Sequence, residues 1–501
     1  MTLPKVCGGD VELGNFIAGL ERTDGSGAQA SRALLRAMIR ETGGIRAEPR
    51  LSRVRAVGGS GRRWRANPQD TGRVFLPTNG GSVYIDLDHL ELCLPEVTSA
   101  FDHVAAWHAL LRVAQAALAH ANQGRAADRQ IQVLVNNSDG WGNSYGGHLN
   151  IMLGRLAWEG LMRRRLHHLA YLASYQASAL LFTGQGKVGS ENDRPATSYQ
   201  VSQRADFIET LLGPQTTFFR PLVNTRDEPH SEHARLHLIS FDTTLAETAS
   251  LLRVGVTQLI LALIEAGQVN PALALDDPVA ALQLWSHDPS LEARAPLAGG
   301  GEVTAVELQQ RFLDEAVLGL RRGDFDGTVP RAGEIISIWQ QTLDQLARRD
   351  WPALARRLDW VAKLAIIERA REQHGLDWSA PEAKMLDHLY SSLNPDEGLF
   401  WSWAEAGLMN QVVDPARIRH FMDQPPEDTR AFVRAHLLRE AGADGIEEVD
   451  WDRIRFRLKG ERVSRMFVMP NPLAGAGDPA GLEQDPAAPN HGSSQQRRTA
   501  P

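Results

Sequence analysis

Two segments place acidic side chains at alternate positions of otherwise strand-like sequence. In VCGGDVELGNF, Asp10 and Glu12 stand two residues apart, and in SVYIDLDHLELCLPE the same step separates Tyr84 from Asp86. Period two puts each pair on one face of its strand. Carboxylates gathered on a sheet face repel one another and are costly to bury unless a cation neutralises them. Such a face either turns to solvent or closes around positive charge. Magnesium is the natural candidate, since it takes hard oxygen ligands and commonly bridges protein carboxylates and nucleotide phosphates. Glu91 and Glu96 extend the acidic set.

The rest of the chain fits a sheet with helices behind it. A helix is expected near Ala30 to Thr42, where Leu34, Leu35 and Met38 recur at helical spacing, and an Ala/Leu-rich one over 103–122. A strand at 130–136, the polar turn NNSDGWGNSYGG and a strand HLNIML follow, then one helix over 156–182. SYQVSQRADFIE, PLVNTRDEPH and RLHLISFD read as strands, and a long helix runs from about Leu245 to Ala266. Strands dominate to that point and helices from 303 to 442, which is an α+β pattern and not alternating βα. Residues 43–73 are rich in Gly and Arg with no sustained period, which reads as a mobile insertion. The Pro, Gly, Ser and Gln composition of 470–501 reads as a disordered tail.

With 501 residues the chain can bury a sizeable core. Fifty-three basic against 61 acidic residues, net −8, argue against a generic nucleic-acid binder. Two cysteines, Cys7 and Cys93, exclude a disulfide framework and point to a reducing, cytoplasmic setting. The apolar run VGVTQLILALI is shorter than the roughly 20 residues that span a bilayer, so it reads as a core helix and no membrane association is expected.

Other polar clusters carry competing readings. If NTRDEPH is extended, Asn224, Arg226, Glu228 and His230 share a face and form a site wall, where an arginine would neutralise phosphoryl oxygens; a buried structural ion pair is the alternative. His230, His233 and His237 invite a zinc reading, but they need not share a face, and oxygen donors dominate elsewhere. TGQGKVG lacks the spacing and Ser/Thr of a P-loop. Cys93 has no evident base beside it and is not expected to be a nucleophile.

Five collinear segments together resemble the bacterial Pup ligase and Pup deamidase/depupylase family, relatives of glutamine synthetase: GGDVELG, TNGGSVYIDLDHLE, NNSDGWGNSYGGHLN, SQRADFIE and NTRDEPH. The insertion, the step from Asp86 to Glu91, WSAP and DTRAF lean toward the deamidase/depupylase branch. The resemblance implies a glutamine synthetase-like fold: a large curved antiparallel sheet backed by helices over 1–420, and a small C-terminal domain, 421–469, closing over nucleotide. It implies ATP and Mg2+ as cofactors, Asp86 as the catalytic residue, and Asp10, Glu12, Tyr84, Glu91 and His148 around metal. Arg204, Arg226, Arg430 and Trp451 would bind the nucleotide.

The implied partner is a Pup-like modifier protein or its conjugates, with proteasome-linked partners. The implied reaction is at a glutamine or glutamate side-chain carbonyl or an isopeptide bond. Protein ligation or phosphotransfer to another substrate is one alternative, and a nucleotide-binding pseudoenzyme or scaffold is another. Four positions depart from the family pattern, the first being Asp10, one methylene shorter than the usual glutamate ligand. Ser82 stands where an arginine is expected at nucleotide, Val135 replaces a lysine, and Leu149 replaces a glutamate, although alternation puts Leu149 opposite His148 and Asn150.

Overall fold

The computed structural model describes residues 3–20, 24–46, 72–227, 232–461, 463–476 and 483–484. Strands β1 (Cys7–Ile17), β2 (Ile45–Arg46), β3 (Val74–Phe75), β4 (Ser82–Asp86), β5 (His89–Cys93), β6 (Ile131–Leu134) and β7 (Gly147–Gly154) precede residue 155. Two short pairs follow, β8 (Lys187–Val188) with β9 (Tyr199–Gln200) and the parallel pair β10 (Ile208–Gly213) with β11 (Arg220–Asn224), before β12 (His233–Leu238) returns to the main sheet. That sheet has eight strands in the order β12-β7-β1-β5-β4-β3-β2, with β6 pairing the far end of β1, and its pairs are all antiparallel.

Alternation along these strands separates the two faces. Val11, Leu13, Val83, Leu90, Leu92, Leu149 and Ile151 are buried on the back face. Against it pack the helices α1 (Ser26–Thr42), α2 (Ala100–Asn122) and, further along, Glu247–Glu265. The apolar stripe Leu34, Leu35 and Met38 holds α1 there, and the Ser99 hydroxyl caps α2 by accepting from the Phe101 N–H. The helix Glu247–Glu265 is, by length and composition, able to cross a bilayer; the extent of the apolar run alone does not decide its role. Burial decides it, since 94% of the span lies inside the protein.

Several local expectations need correction. The single helix over 156–182 is broken into Arg155–Glu159, a π-helical turn Gly160–Arg164, Leu166–Ser178 and Leu180–Thr183. Residues 163–167 are all exposed, and five consecutive exposed positions exceed what one face of a half-buried helix can present. SYQVSQRADFIE is strand only at Tyr199–Gln200 and from Ile208. Between them the Asp242 carboxylate accepts the Gln203 and Arg204 N–H groups, so a side chain takes the place of a strand partner. PLVNTRDEPH leaves the strand at Asn224, whose Oδ1 accepts from the Arg226 N–H at 2.8 Å in an Asx turn. Residues 74–97 contribute three strands, β3, β4 and β5.

Most of the insertion and tail, and Glu228 and His230, lie outside the described residues. The described edges are ordered parts of the fold. Ile45–Arg46 adds an edge strand to β3, and Pro470–Ala476 packs back on the helix Arg430–Gly445 and the segment before it, with the Arg430 N–H donating to Pro472 and the Ala476 N–H to Glu427. A second apolar cluster joins Ile45 and Phe75 to Val433, Leu437, Leu438, Val449, Ile454 and Phe456 from that helix and the strands β15 (Ile446–Val449) and β16 (Arg453–Phe456), which follow the short pair β13 (Ala295–Pro296) and β14 (Glu302–Val303).

Candidate active site

Register assembles the front face of the sheet. Glu12 pairs with Glu91, and Glu91 with Tyr84, so three strands contribute one row of side chains. In the next row Asp10 pairs with both Cys93 and His148, and Cys93 with Ser82. The hairpin between β4 and β5 turns at Leu87 and Asp88, both at positive φ (42° and 72°), which fits a two-residue turn matched to strand twist. That turn ends β4 at Asp86. A cavity of about 1220 Å³ covers this face and is lined by Asp10, Glu12, Tyr84, Asp86, Glu91, His148, Arg204, Arg226, Arg430 and Trp451, while Asn224 of the expected NTRDEPH wall does not line it.

Within the cavity one oxygen from each of Glu12, Asp86 and Glu91 lies within 4.8 Å of the other two. Glu12 is steadied by the Gly146 N–H, 2.8 Å from its Oε2. Burial, together with the charges of Asp10, Glu12 and Asp86, pushes the Glu91 carboxyl well above the usual carboxylate range. Three hard oxygen donors, Glu91 buried and Glu12 and Asp86 half-buried, converging this closely fit a divalent cation.

Asp10 plays a different part from the trio. Its Oδ2 meets His148 Nδ1 at 2.8 Å and its Oδ1 accepts from Asn150 Nδ2 at 2.5 Å. Burial opposes ionisation here, but His148, His237 and Arg235 together hold the Asp10 carboxyl well below its ordinary value. Asp10 thus fixes the His148 ring, in the way carboxylates orient ligating histidines. Glu96 also leaves the acidic set. It binds Arg430 at 2.8 Å and Arg434 in a closer ion pair, and although burial opposes it, these two arginines hold its carboxyl at about 2. Arg430 therefore reaches the cavity with its charge already matched.

Arg204 is fully buried at the cavity wall. Its Nε donates to the Ile239 carbonyl at 2.8 Å and its Nη1 to Tyr145, while Nη2 has no hydrogen-bond partner among the described residues. An unsatisfied buried guanidinium nitrogen fits an anionic ligand. Arg226 lines the cavity with its Nε on the Pro214 carbonyl at 3.0 Å. Trp451 packs edge-on to Phe75 at 5.4 Å, and the Arg434 guanidinium lies 4.7 Å from its ring.

Of the four departures, Val135 and Leu149 are fully buried in the apolar core and do not line the cavity. His148 and Asn150 keep the front face. Asp10 lines the cavity, and Ser82 stands just outside its lining, with its hydroxyl fully buried beside Cys93. Cys93 lines the cavity too, but burial and Glu91 push its thiol up more than nearby Arg73 lowers it. Lys187 of TGQGKVG is spent on Glu191 and Asp206 at 2.8 and 3.2 Å.

Sequence reasoning missed Arg73, Arg220 and Arg235 on the cavity wall, along with the exposed Leu87, Phe218 and Phe219 at its edge. Arg73 was hidden by its place at the end of an aperiodic segment. The alternation of RLHLISFD could have indicated Arg235, two residues before His237. Among the described residues, the histidines His233 and His237 line the cavity without forming a three-ligand cluster, and the group close enough to share a cation is made of oxygen donors.

The family model described as Pup-ligase protein matches residues 5–455. The Pup deamidase/depupylase of Mycolicibacterium smegmatis is 38% identical over 405 residues, 80% of this chain and 79% of that one. The Pup-protein ligase of Kocuria rhizophila is 33% identical over 419 residues, 80% of this chain and 87% of that one. The structure of the Pup ligase PafA in complex with ADP matches with a TM-score of 0.71 at 25% identity, covering 86% of this chain and 97% of the other. With the family model matched over residues 5–455 and relatives 33–38% identical over 80% of its length, the chain belongs to the Pup-ligase protein family.

Proposed function

We propose that this protein is an ATP- and Mg2+-dependent enzyme acting on a Gln or Glu side-chain carbonyl, or the isopeptide bond made from it, of a Pup-like modifier protein. The convergence of Glu12, Asp86 and Glu91 within 4.8 Å on the floor of a large cavity carries this reading. The greater identity to the deamidase/depupylase, 38% against 33% for the ligase, favours hydrolysis. Glu12, Glu91, Tyr84 and His148 would hold the cation, while Arg204, Arg226 and Trp451 would face the nucleotide. A bound divalent cation would supply charge to stabilise oxyanions and phosphate.

In the hydrolytic direction Asp86 takes a proton from water as the water oxygen bonds to the amide carbon. The C–N bond then breaks, and the proton leaves on the departing ammonia or lysine amine. The division near residue 420 places the helix Arg430–Gly445 and Trp451 in a C-terminal unit, tied to the sheet by Glu96. The cytosol is the setting that two buried, unpaired cysteines suit.

Incubation with a Pup-like protein ending in Gln, and with its lysine conjugate, tests the reading by mass spectrometry. Wild type should release ammonia or free lysine, and Asp86→Asn should lose at least ~100-fold in rate while melting normally. Equal turnover by the two would reject the role of Asp86, and joining of a Glu-ended modifier to lysine without hydrolysis would assign the ligase reaction instead.

A further inference from the structure

Arg73 immediately precedes β3, one residue before the Val74 and Val83 pair, which places it beside Tyr84 on the front face of the sheet. Its guanidinium carbon lies 4.6 Å from the Tyr84 ring centroid and 5.8 Å from that of Trp451. It lines the same cavity as the carboxylate trio, and its strand stands two strand spacings, about 10 Å, from that of Glu91. Two aromatic rings thus hold a planar cation in a fixed orientation at little further entropic cost on binding.

The other cations beside Trp451 are spent. Arg430 and Arg434 both close on Glu96, and Arg434 also donates to the Trp451 carbonyl at 2.8 Å. Arg73, by contrast, makes no ion pair among the described residues. At position 82 the side chain is a serine whose fully buried hydroxyl sits beside Cys93 and does not line the cavity. It can neither reach nor neutralise an anion there.

We propose that Arg73 is the guanidinium that receives nucleotide phosphate in this cavity, from the end of the neighbouring strand and in place of a cation at position 82. The assignment rests on the nucleotide reading above. It gives the last residue of the Arg-rich segment 43–73 a specific role.

Calorimetry of the full chain with ATP, inorganic tripolyphosphate and adenosine, each with Mg2+, tests it. Arg73→Ala should weaken ATP and tripolyphosphate at least 20-fold and leave adenosine within twofold. Arg73→Lys should fall between, because an ammonium keeps the charge but not the fork or the stacking. Unchanged thermal melting of both variants excludes misfolding. If wild type binds ATP and Arg73→Ala binds it within twofold, the assignment fails while the nucleotide reading stands. Equal losses for adenosine and ATP would likewise overturn it, by showing a structural role. If wild type takes up no ATP with Mg2+, the nucleotide reading falls and the assignment with it.

Discussion

Glu91 concentrates the electrostatic cost of the site. It is nearly fully buried, and Glu12, Asp86 and Asp10 all disfavour its charge. A residue placed against its neighbours in this way is stabilised by a cation and destabilised without one. Glu91→Gln should therefore raise the melting temperature of the metal-free protein, and added Mg2+ should raise the melting temperature of wild type but not of the variant. Scanning calorimetry with and without Mg2+ reads both. Gly146 imposes a steric condition on the same site, since a Cβ there would lie 2.2 Å from His148 Nε2. Asp10 holds the ring on its other nitrogen, so the ring cannot swing away without losing that bond. Gly146→Ala should cost about 1–3 kcal/mol in stability and displace His148, seen as a shifted imidazole resonance.

The clearest element-scale device is the Glu96 clamp between the end of β5 and the helix Arg430–Gly445. Its carboxyl has an ordinary value of 4.5 and is held at about 2 in the fold. A depressed carboxyl contributes stability that is present above the unfolded value and lost as pH falls through the folded one. The window is therefore about pH 4.5 to about pH 2, and the contribution is on the order of 3 kcal/mol. Glu96→Gln should destabilise at pH 7, leaving fully buried Arg434 unpaired, and its deficit against wild type should shrink through that window in pH-dependent urea melts. Glu96 also shows where sequence reading stops. Alternation made Tyr84 and Asp86 legible as one face, because strand period is local, whereas Glu91 reaches that face through the β4–β5 register. The partners of Glu96 lie more than 300 residues away, and no local pattern announces them. The break at Gly160–Arg165 was equally hidden, since apolar spacing continues through it while burial does not.

Across the whole molecule, the sheet-plus-helix architecture was legible because polar faces and apolar faces alternate along each strand, and the back-face residues Val11, Val83, Leu90 and Leu149 bear that pattern out. The collinear motifs led to the family. What composition obscured was the contribution of segments without periodicity: Arg73, Pro470 and Pro472 all line the cavity, although they begin or end stretches that read as unstructured. The apolar edge formed by Leu87, Phe218 and Phe219, each at least 70% exposed, is the surface on which a protein substrate would bury area. Replacing Phe218 and Phe219 together with Ser should raise KM for a Pup-like substrate several-fold and leave ATP affinity unchanged, as steady-state kinetics beside calorimetry would show. The central claim is that Glu12 and Glu91, from two paired strands, hold one divalent cation beside Asp86 and a nucleotide. Anomalous diffraction from crystals grown with Mn2+ and a non-hydrolysable ATP analogue tests it most directly. The expected result is a manganese peak ligated by Glu12 and Glu91 next to Asp86; a metal bound elsewhere, or none at these carboxylates, would contradict it.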